Sequence, residues 1–216
     1  QHHRNSQRDC ISNPFCAYLY SAPAFVKKII KKEPSLVYIC NPNNPTGLVL
    51  EESYIEYLLN KFPDTMFLID EAYIEFCGKS CKDLVKDYDN ILITRTMSKA
   101  FGLANIRFGF LLASEENINY ISSIRNPKNI TSFAQEAVIG ALQDVEHMWN
   151  YVNEVNEAKE IFISRINDST LGRFKAYKSN ANFVLIKCDS ELTKSEILVY
   201  LEKHNVFIRN VSQSQS

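Results

Sequence analysis

Long apolar runs, a charge bias and paired cysteine spacings are all missing from this sequence. No uninterrupted apolar run approaches the roughly 20 residues needed to cross a bilayer, and the polar N-terminal residues do not resemble a signal peptide. The expectation is a cytoplasmic protein without a membrane partner. A formal net charge of -1 over 216 residues gives no electrostatic reason to expect nucleic acid. The densest basic run, Lys27-Lys28-Ile29-Ile30-Lys31-Lys32, is interleaved with apolar residues and meets Glu33, as a solvated helix face does. Cys10, Cys16, Cys40, Cys77, Cys81 and Cys188 show no paired CxxC spacing, so they read as reduced thiols of a cytoplasmic chain. His2, His3, Cys10 and Cys16 are too irregularly spaced for a structural zinc site. No metal is expected.

What is present is ordinary globular material, 45% hydrophobic and 23% charged, enough for one large domain or two small ones. Residues 1–22 carry no periodicity and are left unassigned. An amphipathic helix is expected from Ala24 to Lys32, stopped by Pro34. Apolar strand-like runs follow at 35–40, 65–69, 90–94 and 107–113, with a helix from Glu52 to Phe62 between the first two. Continuous apolar strands alternating with helices indicate an α/β layer architecture whose sheet is covered on both faces.

Ser132 and Gln135 have the spacing of a capping box, opening a long helical stretch in which Asp144 can cap a second helix. Residues 182–187 resemble a strand. Thr193 and Glu196 form another capping-box pattern, for a helix that Asn205 would end, and 206–209 read as a last short strand. The tail 212–216 is low in complexity.

Three stretches stand at the carboxyl ends of expected strands, where open α/β sheets place their ligands. Asn41-Pro42-Asn43-Asn44-Pro45-Thr46-Gly47 is a stiff turn rich in amide groups. Asp70-Glu71-Ala72-Tyr73 puts an acid at the end of an apolar strand, where it needs a donor partner; a helix N-cap is its plain structural use. Thr96-Met97-Ser98-Lys99, followed by Arg107, gathers hydroxyls and cations. Together they match the needs of pyridoxal 5′-phosphate. Its aldehyde needs a lysine, its ring nitrogen a carboxylate, its phenolic oxygen donors, and its phosphate hydroxyls and an arginine.

The order NPNNPTG, DEAY, TMSKAFGLANIRFGF resembles the fold-type I aminotransferases of class I/II, and among them most of all the histidinol-phosphate aminotransferases. The likeness runs from about Pro34 to Arg209. It implies the large pyridoxal-phosphate-binding domain in part, residues 23–144, plus part of a small α+β domain, 145–211. It implies that Lys99 joins the cofactor covalently and then shuttles a proton at the substrate α-carbon. Asp70 would pair with the pyridine nitrogen, Asn44 and Tyr73 would hold the phenolic oxygen, and Thr96, Ser98 and Arg107 would bind the phosphate.

The implied reaction is transamination between histidinol phosphate or imidazole acetol phosphate and glutamate or 2-oxoglutarate, by a homodimer. Related activities are aromatic amino-acid transamination and threonine-phosphate decarboxylation. Family members are longer at both ends. The segment that binds phosphate and stacks on the ring is expected upstream of Pro34, and a carboxylate-binding arginine beyond Arg209, so the chain reads as truncated. A non-catalytic fragment retaining a partial cofactor site is therefore the rival reading.

Overall fold

β-branched and aromatic side chains suit a pleated, buried surface, and the runs rich in them become strands. In a computed structural model describing residues 22–126, 129–169 and 172–211, helix α1 (Ala22–Lys32) leads into β1 (Leu36–Cys40). Next come α2 (Glu52–Lys61), β2 (Met66–Asp70), two short 3-10 turns at Ile74–Phe76 and Lys82–Lys86, and β3 (Ile91–Thr96). A third 3-10 turn, Ala104–Ile106, precedes β4 (Gly109–Leu112). The unassigned stretch up to residue 21, with the four weighed zinc ligands, and the tail from Ser212 lie outside the described residues.

The strands lie in the order β1-β2-β3-β4. β1 and β2 pair in parallel with Val37 against Phe67, β2 and β3 in parallel with Ile69 against Ile93, and β4 is antiparallel with Gly109 against Thr96. Strand alternation sends Val37, Ile39, Phe67, Ile69, Ile91 and Ile93 to one fully buried face, where they meet Ile29 of α1 and Ile55, Leu58 and Leu59 of α2. On the opposite face Tyr38, Cys40, Met66, Leu68 and Asp70 are half-buried.

Beyond the sheet come α3 (Glu115–Ile124), α4 (Ser132–Gln143), α5 (Val145–Asn167), β5 (Phe174–Ala176), β6 (Ile186–Cys188) and α6 (Glu191–Lys203). Several sequence expectations shift by a few residues. The cap of α4 is Thr131, whose side chain accepts from Ala134 N, and the cap of α6 is Ser190, accepting from Thr193 N. Glu196 is instead taken by Arg173 at 2.7 Å. Asp144 does cap α5. β4 begins only at Gly109 because Arg107 is left-handed, φ 55°, a conformation no strand accommodates.

Of the expected strand at 182–187 only Ile186 and Lys187 fall in β6, which pairs antiparallel to β5, and Leu185 O extends that pairing by accepting from Tyr177 N at 2.9 Å. Residues 206–209 are not a strand. They are exposed, and no neighbouring strand among the described residues pairs with them. A second apolar cluster joins α5, through Met148 and Val152, to Tyr73, Phe76, Ala100 and Ala181. It ties the loops after β2 and β3 to the C-terminal part of the chain. No helix among the described residues is long and apolar enough to cross a membrane, and no group of three or more metal-ligating side chains forms there.

Candidate functional site

The three motif loops leave β1, β2 and β3 side by side at their carboxyl ends. In the first, two asparagines are spent on structure. Buried Asn41 accepts from Leu50 N at 2.8 Å and donates to Leu50 O at 3.2 Å. Asn43 donates to Thr46 Oγ1 at 2.7 Å, and its carbonyl accepts from Gly47 N at 2.6 Å. The Asn41–Pro42 and Asn44–Pro45 peptides are cis. Asn44 is left exposed, and its Nδ2 donates to the Tyr73 hydroxyl at 3.2 Å.

At the end of β2, the Asp70 carboxylate is heavily hydrogen-bonded. Oδ2 accepts from the Tyr38 hydroxyl at 2.5 Å, while Oδ1 accepts from Ala72 N at 3.1 Å and from the Thr94 hydroxyl at 3.5 Å. Tyr38 and Thr94 share the half-buried face with Asp70, brought there by the parallel registers of β1, β2 and β3. Burial, reinforced by the hydrogen bond and charge of Asp70, pushes the Tyr38 phenol far above the usual tyrosine range. Near neutral pH it therefore stays protonated and donates.

Glu71 turns to the opposite side and is fully buried. Its carboxylate accepts from Ser80 Oγ at 2.9 Å, Cys81 N at 2.7 Å, and Arg95 Nε and Nη2 at 2.9 and 2.8 Å. Burial and the Glu71 charge push the Cys81 thiol up to about 12, so it is an inert packing group. Nearby Glu75 is also held above the usual carboxylate range by burial, and its Oε2 lacks a hydrogen-bond partner.

The third loop carries Lys99. Thr96 Oγ1 accepts from Ser98 N at 3.1 Å and lies 2.9 Å from Ser98 Oγ. Met97 and Ala100, on either side, are buried and anchor the turn. Lys99 Nζ stands 5.2 Å from the centroid of the Tyr73 ring, a cation-over-ring contact. Among the described residues no carboxylate pairs with it. Tyr73 also packs against Phe183, with ring centroids 5.2 Å apart and 89° between the planes.

The fold thus brings Asn44, Tyr73 and Lys99 into direct contact, joins Thr96 to Ser98, and sets Asp70 on the strand between them. Arg107 stands apart. It is exposed, donates to Ala104 O at 3.4 Å, and has no hydrogen bond to Thr96, Ser98 or Lys99 among the described residues. Sequence reasoning missed Tyr38, Thr94, Glu71, Arg95 and Phe183. Alternation marks Tyr38 and Thr94 as facing one way, but only the strand register shows that both reach Asp70.

This donor set fits pyridoxal phosphate. It offers an amine without a carboxylate partner, a carboxylate held rigid by three donors, an amide–phenol pair, and adjacent hydroxyls.

Comparison with known proteins agrees. A family model described as Aminotransferase class I and II matches residues 22–215. The chain is 43% identical over 185 residues to a dihydroxyacetone phosphate transaminase of Campylobacter jejuni subsp. jejuni, covering 85% of this chain and 50% of that protein. It is 36% identical over 197 residues to a histidinol-phosphate aminotransferase of Ruminiclostridium cellulolyticum, covering 91% and 54%. Among solved structures it resembles the histidinol-phosphate aminotransferase of Sinorhizobium meliloti in complex with pyridoxal-5'-phosphate, with a TM-score of 0.77 and 25% identity over 87% of this chain and 52% of that one. The chain spans about half the length of the curated relatives it matches.

Proposed function

The chain belongs to the class I and II aminotransferases, and from that premise we propose that it carries the core of a pyridoxal-phosphate-dependent transaminase acting on a phosphorylated ketone with glutamate as amino donor. The leading pair is imidazole acetol phosphate and histidinol phosphate. The observation that carries the reading is Lys99. Its amine, unpaired with any carboxylate among the described residues, lies over the ring of Tyr73, whose hydroxyl holds Asn44.

When bound, the cofactor supplies an electron sink for the charge left at the substrate α-carbon on loss of its proton. The protein's groups do the rest. Lys99 is the amine that would hold the cofactor aldehyde, and as a free amine it would carry the proton to and from the α-carbon. Asp70 holds the proton on the ring nitrogen, kept in place by Tyr38, Thr94 and the Ala72 N–H. Asn44 and Tyr73 donate to the phenolic oxygen. The Thr96 and Ser98 hydroxyls bind the phosphate, and Arg107 adds its guanidinium by exchanging the Ala104 carbonyl for the anion. Residues 23–144 form the cofactor domain in this reading and 145–211 part of the small domain, in a cytoplasmic homodimer.

The test is uptake of pyridoxal phosphate by the chain, read as a new visible absorbance band. Lys99→Ala should abolish the band. A band unchanged in that variant defeats the assignment, and no band in the parent chain favours a non-catalytic fragment.

The 43% identity to a dihydroxyacetone phosphate transaminase favours a second substrate. Its ketone also carries a phosphate monoester, so both readings need the same anion recognition. Initial rates with glutamate against imidazole acetol phosphate and dihydroxyacetone phosphate separate them, and threonine phosphate tests decarboxylation.

A further inference from the structure

Tyr38 belongs to none of the three motif loops, yet it makes the shortest contact to the Asp70 carboxylate. In register, Cys40 stands opposite Asp70 and Tyr38 opposite Leu68, so the phenol reaches diagonally along the half-buried face. Its hydroxyl donates to Oδ2 at 2.5 Å. Oδ1 takes two donors, Ala72 N at 3.1 Å and Thr94 Oγ1 at 3.5 Å. An ionised carboxylate has about four lone-pair sites, two on each oxygen. Oδ1 is filled, and the one remaining site is on Oδ2.

We propose that Tyr38 is a positioning residue that fixes the carboxylate plane of Asp70 and presents the open site of Oδ2 to the ring N–H of the cofactor. This rests on the reading that Asp70 faces that ring. The carboxylate torsion of aspartate is broad and roughly two-fold, so backbone placement alone does not orient it. Donors on both oxygens do. A phenylalanine fills the same volume but leaves Oδ2 free to turn. Burial, then the hydrogen bond to Asp70 and its charge, resist ionisation of the phenol, and the other titratable group facing it, the Cys40 thiol, is itself pushed up by burial, so the direction of the bond does not reverse near neutral pH.

The test combines a cofactor-free readout with a double-mutant cycle. In the full chain labelled with 13C at tyrosine Cζ, the Tyr38 resonance is the one lost in Tyr38→Phe. It should stay untitrated at pH values where exposed tyrosines ionise, and Asp70→Asn should shift it. A Tyr38 signal that ignores Asp70→Asn overturns the contact. For the cycle, Tyr38→Phe should weaken pyridoxal phosphate binding by about tenfold, the loss of one charge-assisted hydrogen bond, and should do nothing further in the Asp70→Asn background. An equal loss in both backgrounds means that Tyr38 acts on the fold instead, and the inference fails. If Asp70→Asn weakens binding while Tyr38→Phe does not, the inference alone falls. If the parent chain binds no cofactor, or Asp70→Asn leaves its affinity unchanged, the underlying cofactor reading falls and takes the inference with it.

Discussion

Asn180 reaches Gly47 across 133 residues, donating to its carbonyl oxygen twice, from the backbone N–H at 2.8 Å and from the side-chain amide at 3.0 Å. These bonds seat residues 179–183 on the loop that presents Asn44, and Phe183 at the end of that segment then braces Tyr73. Asn44 and Tyr73 are thus held by parts of the chain far from either in sequence.

Gly47 is the sensitive point of this seat. Its φ is +69°, and a Cβ there would lie 2.1 Å from Ser179 Oγ and 2.8 Å from the Ser179 α-carbon. Gly47→Ala should destabilise the protein by about 2–3 kcal/mol through strain and overpacking, read as a lowered urea midpoint. Adding Ser179→Gly removes the clashing side chain but leaves the backbone of residue 179 in place, so it should restore only part of the loss. A neutral Gly47→Ala would show that the two segments are not seated on each other.

The Glu71–Arg95 pair ties the turn after β2 to the end of β3. With Glu71 fully buried and the Arg95 side chain 19% exposed, Arg95→Met leaves a desolvated carboxylate and should cost about 3 kcal/mol. Combining it with Glu71→Gln removes the stranded charge and should recover much of that cost. A loss well under about 1 kcal/mol for the single variant, as at an exposed pair, would contradict this role.

Glu75 predicts a pH effect of defined sign. Burial holds its folded-state pKa above the ordinary 4.5, so the folded chain prefers the protonated acid and loses stability as pH rises through the folded value. Glu75→Gln removes the ionisation and should raise the melting temperature at pH 7. The gain should close as pH falls toward the unfolded value, where both states are protonated. Melting curves across that range check it, and a gain larger in acid than at pH 7 would reverse the sign.

Lys159 is only 7% exposed, and its ammonium donates to Asn156 Oδ1 at 2.8 Å and Ala181 O at 2.9 Å. Asn156 in turn donates to Phe76 O at 3.1 Å. Lys159→Met keeps the stem but leaves two acceptors without this donor, at about 1–3 kcal/mol each for buried groups. Amide exchange should accelerate at 179–183 and around Phe76 before it does in β1–β3. Uniform acceleration across the sheet would point to global loss of stability instead.

The parts legible in the sequence were those governed by local physics. Apolar runs gave the four sheet strands, prolines and glycine gave the stiff loop at Asn41–Gly47, and Asp144 was recognisable as a cap. The misreadings share one cause. Spacing alone puts capping boxes at Ser132 and Thr193, but Thr131 and Ser190 have the extended backbone and reach the free N–H groups. Residues 206–209 have strand composition, but a strand exists only where a neighbour takes its hydrogen bonds. Arg107 is a separate case, since its place as a phosphate ligand comes from the cofactor's needs and the resemblance, while the structure shows it exposed and donating to Ala104 O at 3.4 Å.

By itself the sequence determined the chemical inventory, a lysine, an aspartate, an asparagine–tyrosine pair and two hydroxyls, each at the end of an apolar strand, because residue type and local period are read directly from the chain. Only the tertiary structure decided which of these touch and what holds them. The register of parallel strands depends on packing across the sheet rather than on any turn, and that register brings Tyr38 and Thr94 to Asp70. It also takes the whole fold to carry Asn180 to Gly47 and to place Lys99 over Tyr73.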